Sequence, residues 1–190
     1  MAMLQPRMDW TWEMWEALPE DDGNRYEIID GELLVSPSPS WTHQRVLALL
    51  FDQLFPYLRG LGNHEVLFAP GGVRFNDRRV LQPDLTAWRF SGEGAGAAVV
   101  GDNRTLILTV EALSPCTARY DRYTKRPVFQ EQAVPEYWIV DADARCVERW
   151  RPGDVEPEVL VDELAWQPVE GAPPLTIDLP RLFRGAHLET

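Results

Sequence analysis

The stretch Leu106–Asp141, LILTVEALSPCTARYDRYTKRPVFQEQAVPEYWIVD, decides the fold. Its first part belongs to a short, apolar, β-branched run, Thr105–Ala112, with the composition of a central strand. Ser114-Pro115 ends that run. The segment from about Ala118 to Gln132 predicts a helix, with a kink expected at Pro127. Glu136–Asp141 and Cys146–Arg151 then predict two more strands.

Upstream, RYEIIDGELLV predicts a β-hairpin, because Asp30-Gly31 between two apolar runs suits a type I′ turn. SPSPS, Ser36–Ser40, predicts an extended connector. Val46, Leu47, Leu50, Leu54 and Leu58 recur at helical spacing from a start near Trp41 or Thr42. Pro56 is expected to kink or end this helix, and Gly60 and Gly62 to terminate it. His64–Ala69, Gly72–Phe75 and Pro83–Phe90 predict further strands, and the glycine-rich Ser91–Asp102 predicts a loop. The order gives a mixed α/β (α+β) domain, a central mixed β-sheet flanked by helices and preceded by a hairpin. The expected organisation is a single domain over 1–190, with a core at 26–150. An N-terminal extension (1–25) precedes it, and an acidic, Pro-rich C-terminal segment (152–190) follows, with a short amphipathic piece near Leu179–Phe183.

At 190 residues, with 45% hydrophobic residues, eight Trp, seven Phe and five Tyr, the chain can bury an ordinary core. No apolar run approaches the ~20 residues of a membrane span, and the N-terminus lacks a basic segment followed by an apolar one, so a cytoplasmic location is expected. Cys116 and Cys146 form neither a metal knuckle nor a disulfide framework and read as free thiols. The net charge of −12 argues against nucleic-acid binding by bulk attraction. The charge is uneven, however: Arg119, Arg122, Lys125 and Arg126 make Pro115–Val128 locally basic against Asp121 alone, which suits phosphate contact.

Glu111 ends the most hydrophobic strand, where an unpaired carboxylate costs several kcal/mol unless it is paired, protonated or bound to metal. Asp84 stands in LQPDLTAW, where Pro83 fixes the backbone and a strand begins at the acid. Lys125, the chain's sole lysine, shares a helix face with Asp121 at i, i+4. Each of these alone also fits a plain structural role. Together, acids and a lysine from two strands and an adjoining helix meet the needs of phosphodiester hydrolysis: charge neutralisation, a positioned water and a stabilised leaving oxygen. The chain has no P-loop, GxGxxG, HExxH or GxSxG motif, and its three histidines are too scattered for zinc.

RYEIIDGELLVSPSPSWTHQRV, LQPDLTAW and the block quoted above, taken together, closely resemble the Uma-type restriction endonucleases of the PD-(D/E)XK nuclease superfamily, from about Tyr26 to Trp150. The resemblance implies a restriction-endonuclease-like core, a divalent cofactor (Mg²⁺, with Mn²⁺ as substitute) and cleavage of nucleic acid, DNA foremost. It makes Asp84 the acid of the PD element, Glu111 the acid of the (D/E)XK element and Glu32 an acid supplied from the N-terminal side. His43 matches a position the family often fills with histidine. Leu113 stands where the superfamily has its lysine, and the family's answer, a lysine from the following helix, is Lys125 here. Phe129 replaces a common tyrosine and should keep its packing. The expected metal ligands are Asp84 and Glu111, with Arg119, Arg122, Asp121 and His43 in supporting or substrate-binding places. A homodimer or higher homo-oligomer covering Trp12 and Trp15 is also expected. Two rival readings fit the residues: a catalytically silent nuclease-fold interaction module, and a metal-dependent hydrolase of a small phosphoester.

Overall fold

The computed structural model describes residues 3–4, 9–19, 23–37, 39–90, 104–115 and 117–188. The predicted Ser91–Asp102 loop lies outside them. In chain order, β1 (Met3–Leu4), α1 (Trp12–Glu16), β2 (Asn24–Ile29), β3 (Glu32–Pro37) and the long α2 (Trp41–Gly60) are followed by β4 (His64–Phe68), β5 (Val73–Asn76), β6 (Arg79–Leu81), β7 (Leu85–Phe90) and β8 (Arg104–Ala112). A helical crossover, α3 (Ala118–Tyr120), a π-helical turn (Asp121–Lys125) and α4 (Arg126–Glu131), leads to β9 (Glu136–Asp141) and β10 (Cys146–Trp150). β11 (Glu158–Leu160), β12 (Glu163–Trp166), β13 (Leu175–Asp178) and α5 (Leu179–Ala186) complete the chain.

The central sheet has six strands in the order β11-β10-β9-β8-β7-β4. β8 and β9 are parallel, with Val110 opposite Trp138, and the other neighbours are antiparallel, so the sheet is mixed as expected. A parallel pair needs a crossover, and the helical segment 118–131 supplies it. A second, antiparallel sheet runs β1-β3-β2-β6-β5. Its hairpin turn has Asp30 at φ 53° and Gly31 at φ 86°, the two positive angles of the predicted type I′ turn. The second glycine is tightly placed, since a Cβ on Gly31 would lie 2.6 Å from the Arg78 guanidinium.

Alternation along β8 sorts the site from the core. Leu108, Val110 and Ala112 join the cluster that α2 covers with Val46, Leu50, Leu54 and Leu58. Glu111 falls on the opposite face, the side covered by the crossover, where Val128, Phe129, Tyr137 and Ile139 pack with Leu34 and Leu81 of the second sheet. Phe129 keeps the expected packing, with its ring centroid 4.8 Å from that of Tyr137.

Several expectations change. α2 runs unbroken through Pro56. The hydrogen bond that Pro56 cannot donate would have reached the carbonyl of Asp52, which like Pro56 is solvent-exposed, so water can serve that carbonyl. Pro127 does not simply kink a helix: it sits in the first turn of α4, preceded by the π turn, in which the Arg126 N–H reaches back five residues to the Asp121 carbonyl. β6 was missed because three residues give too short a pattern. The C-terminal segment is more structured than its composition suggested. β12, β13 and α5 place Leu164, Trp166, Ile177, Leu182 and Phe183 in the same core cluster as α2. Trp12 and Trp15, expected to await a partner, are half-buried and stacked on each other at 5.0 Å, and the Trp15 indole donates to the Tyr26 carbonyl at 2.7 Å.

Candidate active site

Asp84 lies one residue before β7, and β7 pairs with β8 so that Leu85 faces Val110. That register brings the Asp84 carboxylate to the end of β8, where Oδ2 accepts the Ala112 N–H at 2.8 Å. His43, on the first turn of α2, puts Nε2 2.9 Å from the same oxygen. The turn itself is capped by Ser40, whose hydroxyl accepts the His43 N–H at 3.3 Å. Glu111, one residue before the end of β8, is 2% exposed. Its Oε1 receives Lys125 Nζ at 2.9 Å.

Lys125 is also buried, at 2% exposure, and besides Glu111 it pairs with Glu27 Oε2 at 2.8 Å and Asp121 Oδ1 at 3.2 Å. The π turn makes this possible, because its wider winding aims Asp121 and Lys125 inward together. The Tyr137 hydroxyl anchors the turn by donating to the Asp121 carbonyl at 3.2 Å. Glu27 is held by the Gln82 N–H at 2.8 Å. Arg25, two residues earlier on the same face of β2, reaches Asp84 Oδ1 with Nη1 at 2.5 Å and stands 4.0 Å from Glu111 Oε2.

Asp84, Glu111, Lys125, His43 and Asp121 are therefore gathered in one cluster, open to a pocket of about 450 Å³ also lined by Ser40, Leu113 and Thr117. Three expected residues are not in it. Glu32 is exposed beside the hairpin turn. It pairs with Ile29, and so shares the face of Glu27, but at the wrong end of the strand. The hairpin's acid in the cluster is Glu27. Arg122 is engaged elsewhere, by Glu148 at 2.6 Å and Asp141 at 3.3 Å, and Arg119 is exposed. Arg25 and Glu27 were missed. The signal for Glu27 was its place inside the apolar run YEII, where a charge is buried only with a partner.

Four carboxylates (Glu27, Asp84, Glu111, Asp121) face two permanent cations, Arg25 and Lys125. The consequences for protonation are uneven. Burial alone would raise the Asp84 carboxyl, but the His43 hydrogen bond, the Arg25 and His43 charges and the Ala112 N–H together hold it well below the usual range. Burial pushes Glu111 well above its ordinary value; the Lys125 charge opposes this, and Asp84, Asp121 and Glu27 add to it. Asp121 moves up for the same leading reason. Burial opposes charge on Lys125, yet Glu111, Glu27 and Asp121 overcome it and the ammonium is held well above its ordinary value. Lys125 is thus a fixed cation, and Glu111 rises because burial, with the neighbouring acids adding to it, outweighs the ammonium it shares with Glu27 and Asp121.

Among the described residues, no group of three or more His, Cys, Asp or Glu side chains forms a ready metal cage. Mg²⁺ does not require one, since it binds through one or two carboxylates and fills its octahedron with water and phosphate oxygens. Asp84 and Glu111 are two hard oxygen donors beside a pocket, within a cluster short of positive charge, and this donor set fits such an ion.

A mixed sheet carrying a buried acid on each of two neighbouring chain segments, with a lysine brought over from the crossover, places the chain in the restriction-endonuclease-like class of folds. The Uma2 family profile, described as "Putative restriction endonuclease", matches residues 12–189, and the chain belongs to that family. Its structure is similar to the crystal structure of "a putative nuclease belonging to DUF820 from Anabaena variabilis ATCC 29413". The TM-score is 0.73 at 19% identity, over 93% of this chain and 98% of that one, a likeness of fold. No curated protein matches the chain.

Proposed function

We propose that the protein is a Mg²⁺-dependent nuclease that hydrolyses phosphodiester bonds in nucleic acid, DNA foremost, with Asp84 and Glu111 as metal ligands. The observation that carries this reading is the meeting of Asp84, Glu111 and Lys125 at one pocket, with Lys125 Nζ 2.9 Å from Glu111. When bound, a divalent ion supplies Lewis acidity toward the phosphate and lowers the pKa of a bound water.

The chain's own residues do the rest. His43 and the Ala112 N–H hold Asp84 ionised and fix its orientation. Lys125, kept protonated, supplies positive charge beside the place where a water would attack, and steadies Glu111. Its role is electrostatic, because an ammonium held this firmly does not trade protons near neutral pH. Glu27 and Asp121 position Lys125 without facing the substrate themselves.

Incubation with supercoiled plasmid, linear DNA and RNA, with Mg²⁺ or Mn²⁺ against EDTA, tests the reading. Metal-dependent nicking or linearisation, lost in Asp84→Asn, is the expected result. Intact polynucleotides alongside hydrolysis of a small phosphodiester would favour a small-substrate hydrolase, and no hydrolysis of either would favour a silent interaction module.

A further inference from the structure

The oxygens of the two acids are divided between fixed partners and one movable one. Asp84 Oδ2 is taken by His43 and the Ala112 N–H, and Glu111 Oε1 by Lys125. The remaining oxygens, Asp84 Oδ1 and Glu111 Oε2, both face Arg25 Nη1, at 2.5 and 4.0 Å. A divalent ion held by these two acids would compete with the guanidinium for them. Lys125 cannot leave its place, being sealed among three carboxylates. Arg25 differs in that its side chain is 21% exposed. It stands at the partition between the site pocket and a second cavity of about 850 Å³, lined among others by Trp15, Tyr26, Gln44 and Gln82. The guanidinium therefore has somewhere to go.

We propose that Arg25 is a tethered competitor of the divalent ion: in the free protein its guanidinium holds Asp84 and stands beside Glu111, the two acids that would hold the ion, and it would withdraw toward the second cavity when the ion is bound. This rests on the metal-dependent reading of the site and goes beyond it by assigning a residue that regulates ion occupancy. The energetics favour an exchange over simple filling. The single charge of the guanidinium is shared between Asp84 and Glu111, and a doubly charged ion offers the same two acids a stronger attraction. Breaking a charge-assisted contact at a 99%-buried carboxylate opposes the entry, so the apparent affinity is set by the difference. The device keeps the acids neutralised and the fold intact without an ion, and it weakens ion binding in proportion.

Calorimetric titration of Mn²⁺ into the full chain at neutral pH tests it. Arg25→Gln should bind Mn²⁺ about ten- to a hundredfold more tightly than the wild type, the range of one lost charge-assisted contact. Arg25→Lys keeps the charge but loses the fork, and should fall between the two. Tighter binding by Arg25→Lys separates occupation of the seat from mere loss of a positive charge. Binding by a folded Arg25→Gln that is equal to or weaker than wild type overturns the proposal. Should Arg25→Gln fail to fold, Arg25→Lys no tighter than wild type overturns it equally. Wild-type protein labelled with ¹⁵N-arginine gives a second readout: the Arg25 Nε–H resonance should move on saturation with Mg²⁺, and an unmoved resonance overturns the exchange. Equal Mn²⁺ affinities remove only the role of Arg25. Absence of binding in both wild type and Arg25→Gln removes the metal-dependent reading, and this proposal with it.

Discussion

Asp84 and Glu111 are neighbours in one cluster, yet their surroundings drive their carboxyls in opposite directions, Asp84 down and Glu111 up. The effect on stability is opposite too. Asp84 contributes stability that is present above the ordinary aspartate value of 3.8 and is lost as the pH falls through its lower folded value. For Glu111, both states are protonated below the ordinary 4.5. Above it the unfolded chain releases a proton that the folded chain keeps, so stability falls as the pH rises toward the folded value. In urea unfolding, the stability of Glu111→Gln should therefore fall less steeply than that of wild type as the pH rises above the ordinary 4.5, while Asp84→Asn loses stability that wild type has above the ordinary 3.8. Mn²⁺ should stabilise the wild type and neither variant. Because the Glu111 carboxyl titrates above its ordinary range, Mn²⁺ binding should tighten as the pH rises from acid through that range; an affinity unchanged across it would contradict this. Lys125 changes its meaning from the sequence to the structure. A surface partner of Asp121 could be removed at little cost, but a buried ammonium holding three acids cannot. Lys125→Met should lose about 3–5 kcal/mol at neutral pH, with some recovered in acid as the acids protonate. Turnover of whatever remains folded should fall by ~10²-fold or more.

At the scale of elements, the legible parts were those whose pattern is local. The I′ hairpin, the apolar stripe of α2 and the β8–crossover–β9 unit follow from turn chemistry and periodicity. Asp84, Glu111 and Lys125 were legible because each is a charge beside apolar sequence in a recognisable block. Glu27 and Arg25 were harder, because whether a strand residue lies near the turn or under the second sheet depends on cross-strand partners, not on its own neighbours in sequence. The π turn was illegible for a related reason: it is held by contacts from Lys125, Tyr137 and the acids, which lie far apart in the chain. The C-terminal strands are only three or four residues long and are set among prolines and acids, so their apolar anchors read as isolated. Trp166 is one such anchor, 2% exposed with its ring edge-on to Trp138 at 5.4 Å. Trp166→Ala should cost about 3–5 kcal/mol by chemical denaturation, whereas a dispensable tail would lose almost nothing. Ser40→Ala, which removes the cap of α2, should cost about 0.5–2 kcal/mol in the same measurement.

For the whole molecule, a net charge of −12 means that long-range attraction cannot bring a polyanion to the site. Binding of a fluorescent oligonucleotide, followed by anisotropy, should therefore need a divalent ion that does not support cleavage, such as Ca²⁺, and should be at least about tenfold weaker in EDTA. Equal binding in EDTA would place the main contacts away from the acids. The origin of the site residues has another effect. Arg25, His43, Asp84, Glu111 and Lys125 come from the hairpin, the long helix, both sides of the β7–β8 pairing and the crossover, across a hundred residues of chain. Such long-range pairing forms late and cooperatively as the chain folds. A chain still emerging from the ribosome lacks the crossover lysine while the first acid is already made, so on the proposed reading a half-made copy should not cleave nucleic acid. During refolding from urea, cleavage should return in step with the last recovery of tryptophan fluorescence. A burst of activity ahead of it would mean that the site assembles on a fragment of the fold.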